Sequence, residues 1–166
     1  MTLDAAHSAA QSAAHFAAHF AAKLAFETDP ADVHAALERD DPGIVFVDTR
    51  ENIAWNQGHA RGAVHIPKSD MSDRIPEYPE GTRFVVYCWG PGCNGATRAG
   101  LIISDLGYEA REMIGGFEYW ARAGYAVDAA GSDPITGTPT MVDATRAPDS
   151  LTAPTLQARE RIASDC

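Results

Sequence analysis

The chain has 166 residues, 45% of them hydrophobic and 22% charged, which is the make-up of a soluble globular domain with length for one core and some extensions. Thirteen Lys and Arg face 23 Asp and Glu, a formal net charge of -10, so the surface as a whole repels phosphate backbones and anionic lipid. Nucleic acid and membrane are therefore not expected partners, and no apolar run approaches the length of a membrane span.

Residues 3–26 predict one helix, with Phe16, Phe20 and Leu24 recurring every four positions and Ala filling much of the rest. His15, His19 and Lys23 follow the same step on a neighbouring stripe. Two histidines four apart can bind a metal, but no Glu or Cys nearby completes a tetrahedral set, so the stripe reads as a solvated polar face and no metal is expected. The Ala-rich start lacks the basic residues and compact apolar stretch of a secretory signal, which makes a cytoplasmic location the expectation. Three cysteines (Cys88, Cys93 and Cys166) are too few for a disulfide scaffold.

Asp29-Pro30 opens a second helix, with Asp29 at the cap, Pro30 at the first helical position and Asp32 in the first turn. Val33, Ala36 and Leu37 supply its buried stripe, and Asp40-Asp41-Pro42-Gly43 ends it. Ile44-Val45-Phe46-Val47 is a continuous apolar run, as expected of a strand covered on both faces, and it ends at Asp48-Thr49-Arg50. A short helix follows through Ile53 and Trp55, Gly58-His59 turns the chain, and Ala63 to Ile66 forms a second short strand closed by Pro67. Residues 68–82 are polar and contain prolines, which predicts a short helix and loops.

Phe84-Val85-Val86-Tyr87 is the clearest buried strand, and it delivers Cys88 at its C-terminal end. After Gly90-Pro91-Gly92, helical periodicity runs from Ala96 to Leu106 until Gly107 stops it. Glu109 to Ile114 predicts another short strand, and Gly115-Gly116 precedes a short helix with Phe117, Trp120 and Ala121. Residues 129–154 are rich in Gly, Pro, Ser, Thr and Asp, an ordered wrap or a flexible tail, and Thr155 to Ala163 has the length of a final helical turn or two. The division is thus a helical extension over 1–27, one domain over 28–128 and a tail over 129–166. Short strands alternating with helices predict an α/β fold with a mainly parallel sheet covered on both faces.

The stretch from Tyr87 to Ala96 carries the chemistry. A buried strand ends, a Gly-rich turn follows and a helix starts, and in open parallel sheets ligands bind at the carboxyl ends of strands. The turn lets backbone N–H groups point inward, with Gly90, Gly92, Cys93, Asn94 and Gly95 as the expected donors; Pro91 has none to give. Such a cradle, with the following helix's dipole, is expected to lower the pKa of the Cys88 thiol and to stabilise a persulfide. Cys93 is either a second thiol that traps Cys88 as a disulfide or a helix-start residue without chemistry.

With these residues in place, the chain resembles the rhodanese homology domain over roughly Thr28 to Val127. Val45 to Glu51 is similar to the family's apolar strand ending in Asp-x-Arg, and Gly58-His59-Ala60-Arg61-Gly62-Ala63-Val64-His65-Ile66-Pro67 to its Gly-His segment. Val86-Tyr87-Cys88 resembles the strand carrying the catalytic cysteine; Leu106-Gly107-Tyr108 and Gly115 to Trp120 resemble the last two signatures. The resemblance implies a five-stranded, mainly parallel sheet with helices on both faces, and a sulfurtransferase that needs no cofactor. Cys88 would carry sulfane sulfur as a persulfide, loaded by thiosulfate or a similar donor and unloaded by a thiol or cyanide-like acceptor. Trp89 and Gly90 to Asn94 would form the loop around that sulfur. Asp48 and Arg50 would lie near the site, either with Arg50 orienting charge or as a structural ion pair, and His59 would be a hydrogen-bonded structural residue.

One departure stands out. Where many family members carry a basic residue, beside the cysteine or at the far end of the loop, this chain has Trp89 and Cys93, and the first basic residue after Cys88 is Arg98. Phosphatases and arsenate reductases of related fold need an Arg to clamp the oxyanion, and none is evident. Two other readings compete with sulfur transfer: a redox-active Cys88/Cys93 dithiol, and a binding or regulatory module that uses the fold as scaffold. The N-terminal helix or the tail is a candidate homodimer contact, because the Phe16, Phe20 and Leu24 stripe has to be buried on its own domain or on a second subunit.

Overall fold

The structure, a computed structural model, describes residues 3–132 and 139–144. In chain order the elements are α1 (Leu3–Phe26), β1 (Glu27–Thr28), α2 (Pro30–Glu38), β2 (Ile44–Asp48), α3 (Asn52–Gln57), β3 (His59–Ala60), β4 (Val64–His65), α4 (Met71–Arg74), β5 (Arg83–Tyr87), α5 (Gly95–Asp105), β6 (Glu109–Met113), α6 (Gly116–Arg122), β7 (Val127–Ser132) and β8 (Pro139–Ala144). Five strands form one all-parallel sheet in the order β1-β6-β5-β2-β4.

The alternation of side chains along each strand divides the core into two layers. Phe46, Val85, Tyr87 and Met113 face α2 and α6, where they pack with Val33, Trp120 and Ala121. Val47, Phe84, Val86 and Cys88 face the other way, against Met71 and Ile75 around α4 and Ala96, Ala99 and Ile103 of α5. The unbroken apolar runs of β2 and β5 have this cause: a strand covered on both faces has no polar side to show. The expected caps also form. Asp29 accepts a hydrogen bond from the Asp32 N–H at 2.9 Å with Pro30 in the first turn of α2, and α5 ends beside Gly107, whose φ of 89° suits the left-handed turn.

Four strands extend beyond the expected pattern. Glu27–Thr28 becomes an edge strand because the outer side of β6 is open to it. His59–Ala60 pairs antiparallel with β7, and β7 with β8, making a second, three-stranded sheet that runs across the expected boundary between domain and tail at 128 and 129. Thr155 to Ala163 lies outside the described residues. Helix α1 touches the domain mainly at its last turn, where Arg111 donates to the carbonyls of Leu24 and Ala25 and so caps orphan acceptors of the helix end. Phe16, Phe20 and Leu24 are 58%, 60% and 74% exposed, so the stripe is not buried on its own domain. Among the described residues no helix is long and apolar enough to cross a membrane.

Candidate active site

Strands β2, β4 and β5 end level with one another: Asp48 is in register with His65 on one side and Tyr87 on the other. The residues that follow each strand therefore leave the sheet at one edge, the carboxyl edge where parallel sheets bind ligands. From β5 comes Cys88, from β2 comes Arg50, and from β4 comes Lys68.

Cys88 is a thiol, 3% exposed. Burial pushes its pKa above the ordinary thiol value; the Trp89 backbone N–H, which donates to it, and the charges of Lys68 and Arg50 work in the opposite direction without overcoming burial. The expected lowering of this pKa is thus corrected, and the donors explain why. The Cys93 N–H is spent on the Gly90 carbonyl at 3.0 Å, and the Gly95 N–H is directed to the Cys93 sulfur at 3.3 Å. Gly92 and Asn94 are exposed, Asn94 as the cap of α5. The loop uses much of its donor capacity on itself.

The Cys88 and Cys93 sulfurs lie 2.8 Å apart. Gly95 makes that approach possible: a Cβ there would sit 2.5 Å from the Cys88 sulfur and 3.2 Å from that of Cys93. The back of the loop is held by the first turn of α6, where the N–H groups of Phe117 and Glu118 donate to the carbonyls of Cys88 and Trp89, each at 2.9 Å. Gly116, with a φ of +57°, lets the two backbones meet; a Cβ would come within 2.6 Å of the Cys88 carbonyl oxygen. Gly90 is confined likewise, with Glu118 Oε2 2.7 Å from where its Cβ would be. A cleft of about 180 Å³ opens beside Cys88, with Gly90, Pro91 and Cys93 on one wall and Glu112, Ile114 and Gly115 on the other.

Asp48 and Arg50 form a buried pair in the other layer. Arg50 Nε donates to Asp48 Oδ1 at 2.9 Å and Nη2 to Oδ2 at 2.6 Å, while Nη2 also reaches the Gly58 carbonyl at 2.7 Å. Burial opposes the Arg50 charge, but the adjacent carboxylate outweighs it and holds the guanidinium above its ordinary pKa. The guanidinium lies 4.3 Å from the Phe117 ring centroid and 5.2 Å from that of Trp89, so it sits under the cysteine loop and supports it. Of the two expected roles the structure shows the structural ion pair, and the charge of Arg50 also acts on the Cys88 sulfur.

The turn that presents Arg50 is braced by groups that sequence reasoning did not assign to the site. Trp55 stacks on His59 with ring centroids 3.3 Å apart and on His65 at 4.7 Å. His65 Nε2–H donates to the Arg50 carbonyl at 2.7 Å and His59 Nδ1–H to that of Trp55 at 3.0 Å, which fixes both tautomers because a carbonyl only accepts. Burial pushes the His59 pKa down, in keeping with a neutral structural residue. Lys68 was not singled out either; it follows Ile66-Pro67 in a segment with no motif to mark it, and its Nζ is buried.

Comparison with known proteins gives the same outline. The family model described as Rhodanese-like domain matches residues 29–123. An HTH-type transcriptional regulator of Mycobacterium tuberculosis is 34% identical over 93 residues, covering 55% of this chain and 41% of the regulator. The chain spans less than half the length of the curated relatives it matches. Among solved structures, a Bacillus halodurans protein superposes with a TM-score of 0.66 at 34% identity, over 69% of this chain and 85% of that one. The thiosulfate sulfurtransferase of Pseudomonas aeruginosa superposes with a TM-score of 0.55 at 27% identity, over 61% of this chain and 19% of that one.

Proposed function

Because this chain belongs to the rhodanese-like domain family over residues 29–123, we propose that it is a sulfurtransferase carrying sulfane sulfur as a persulfide on Cys88. The observation that carries the proposal is the placement of Cys88 at the carboxyl end of β5, with the Trp89 N–H donating to its sulfur and the charges of Lys68 and Arg50 acting on it. The adjoining cleft, about 180 Å³, is below the roughly 300–1,000 Å³ of sites for drug-sized ligands and in size suits a small donor. The Cys88 thiolate attacks the outer sulfur of the donor, the donor's S–S bond breaks, and sulfite leaves with the bonding pair. A thiol or cyanide-like acceptor then attacks the outer sulfur of the persulfide and returns the thiolate. Incubation with thiosulfate should add one sulfur atom to Cys88, seen by intact mass and removed by cyanide. If Cys88→Ser transfers sulfur as well as the parent, the proposal fails.

The 2.8 Å approach of Cys88 to Cys93 favours a second reading, thiol–disulfide exchange, in which the Cys88 thiolate attacks the disulfide-bonded Cys93 sulfur, forms the Cys88–Cys93 bond and displaces the former partner as a thiolate, an external reductant later separating the pair. Thiol titration of oxidised and reduced samples discriminates: equal counts exclude the pair.

A further inference from the structure

The cation expected in the cysteine loop is absent from it, yet two cations, Arg50 and Lys68, follow neighbouring strands at the same edge of the sheet and their charges act on the Cys88 sulfur. Arg50 is 2% exposed and its Nη1 has no hydrogen-bond partner among the described residues. Lys68 Nζ is buried and equally without one. Arg50 at least has Asp48 as counter-charge. Lys68 lies in the turn between Ile66 and Met71, and both of those residues pack in the same layer as Cys88. An ammonium taken out of water without a partner is costly, and a chain with net charge -10 has no shortage of carboxylates that could have paired with it. The unmet donors at this edge are therefore those an anion would satisfy.

We propose that Lys68 is the anion-binding residue of this site, its ammonium receiving the oxyanion end of a thiosulfonate-type sulfur donor while the outer sulfur meets Cys88. The donor class rests on the sulfur-transfer reading above; the affinity for an oxyanion does not. Held this way, the donor's negative end is neutralised as the S–S bond breaks and sulfite departs, and the total charge is the same before and after: a thiolate and thiosulfate become a persulfide anion and sulfite. Arg50, tied to Asp48 and Gly58, has its charge largely offset by the Asp48 carboxylate, which leaves Lys68 as the cation without a counter-charge of its own among the described residues.

The test uses the full chain and two variants, Lys68→Met and Lys68→Arg. Alkylation by iodoacetamide, which is uncharged, reads the nucleophilicity of Cys88; sulfate then competes as an unreactive oxyanion. Sulfate should slow alkylation of the parent and of Lys68→Arg but not of Lys68→Met. Sulfur loading from thiosulfate should fall at least about tenfold in Lys68→Met, more than alkylation does, and should recover in Lys68→Arg. Equal falls in loading and alkylation, or sulfate protection that is absent in the parent or unchanged in Lys68→Met, overturn the proposal. If the parent takes up no sulfur while sulfate protection still depends on Lys68, the sulfur-transfer reading fails and the anion site stands.

Discussion

Tyr87 and Cys88 are neighbours in sequence that serve opposite layers of the sheet: the Tyr87 hydroxyl donates to Asp48 Oδ2 at 2.6 Å in one, and the Cys88 thiol lies against α5 in the other. The same hydroxyl accepts from the Ala60 N–H at 3.0 Å, so one phenol joins β5, β2 and β3. Replacing Tyr87 by Phe leaves the Ala60 N–H unpartnered and removes a donor from a buried carboxylate. Stability should fall by about 1–3 kcal/mol in urea denaturation, and an unchanged midpoint would show that water substitutes for the hydroxyl.

Gly95→Ala tests whether the sulfur's position matters as the site geometry implies. The added Cβ meets the Cys88 sulfur at 2.5 Å, so one of them has to move by the order of an ångström. Misplacement on that scale costs about 100-fold in a positioned reaction. Thiosulfate loading should drop accordingly while circular dichroism remains that of the parent; full activity in this variant would mean that the loop relaxes freely.

Cys88 should react as a buried thiol does. Its alkylation rate should rise with pH to a midpoint above that of an exposed cysteine, since burial, the largest influence, disfavours the thiolate. The sign for stability follows. The folded chain keeps this proton after the unfolded chain has released its own, near pH 8.5, so the contribution is complete below that pH and is lost as pH rises towards the folded value. The stability difference between the parent and Cys88→Ser, followed by urea midpoints from pH 7 upward, should shrink over that window. A midpoint at or below the exposed value would instead indicate a thiolate at rest.

The exposed stripe on α1 makes a prediction about what covers it. Because Phe16 and Phe20 face solvent in the single chain, Phe16→Ser and Phe20→Ser should each change stability by no more than about 0.5 kcal/mol. A larger, concentration-dependent loss would mean that the stripe is packed against another surface in solution, which sedimentation of the same variants would register.

What could be read in the sequence was whatever a local pattern dictates. Val45 to Val47 and Phe84 to Val86 are recognisable because burial on both faces leaves a strand nothing polar to display, and Cys88 is recognisable because the strand stops at it. Asp29 and Pro30 announce a helix start by their own chemistry. Glu27–Thr28 and His59–Ala60 were not legible, since two residues carry no period and become strands only when a neighbour offers an edge. Lys68 is equally silent: its arrival at the same edge as the thiol depends on three strands ending level, which is a property of register and not of the residues around it. The direction of the thiol's pKa is hidden from the sequence for a related reason. The number of N–H groups in a loop is visible in sequence, but which of them are spent on Gly90 and Cys93 is not.

The central position of β5, with β6 on one side and β2 on the other, bears on how the site endures. Backbone amides of a strand flanked on both sides exchange with solvent only when the whole domain opens, whereas edge strands and terminal helices fray at far smaller cost. The reactive sulfur hangs from the most protected strand, and the elements most exposed to fraying, α1 and the outer hairpin, are attached elsewhere. Such an arrangement lets the periphery be lengthened, trimmed or joined to other segments while the sulfur stays in register with its cations. Deuterium uptake along β5 should accordingly be the slowest in the chain.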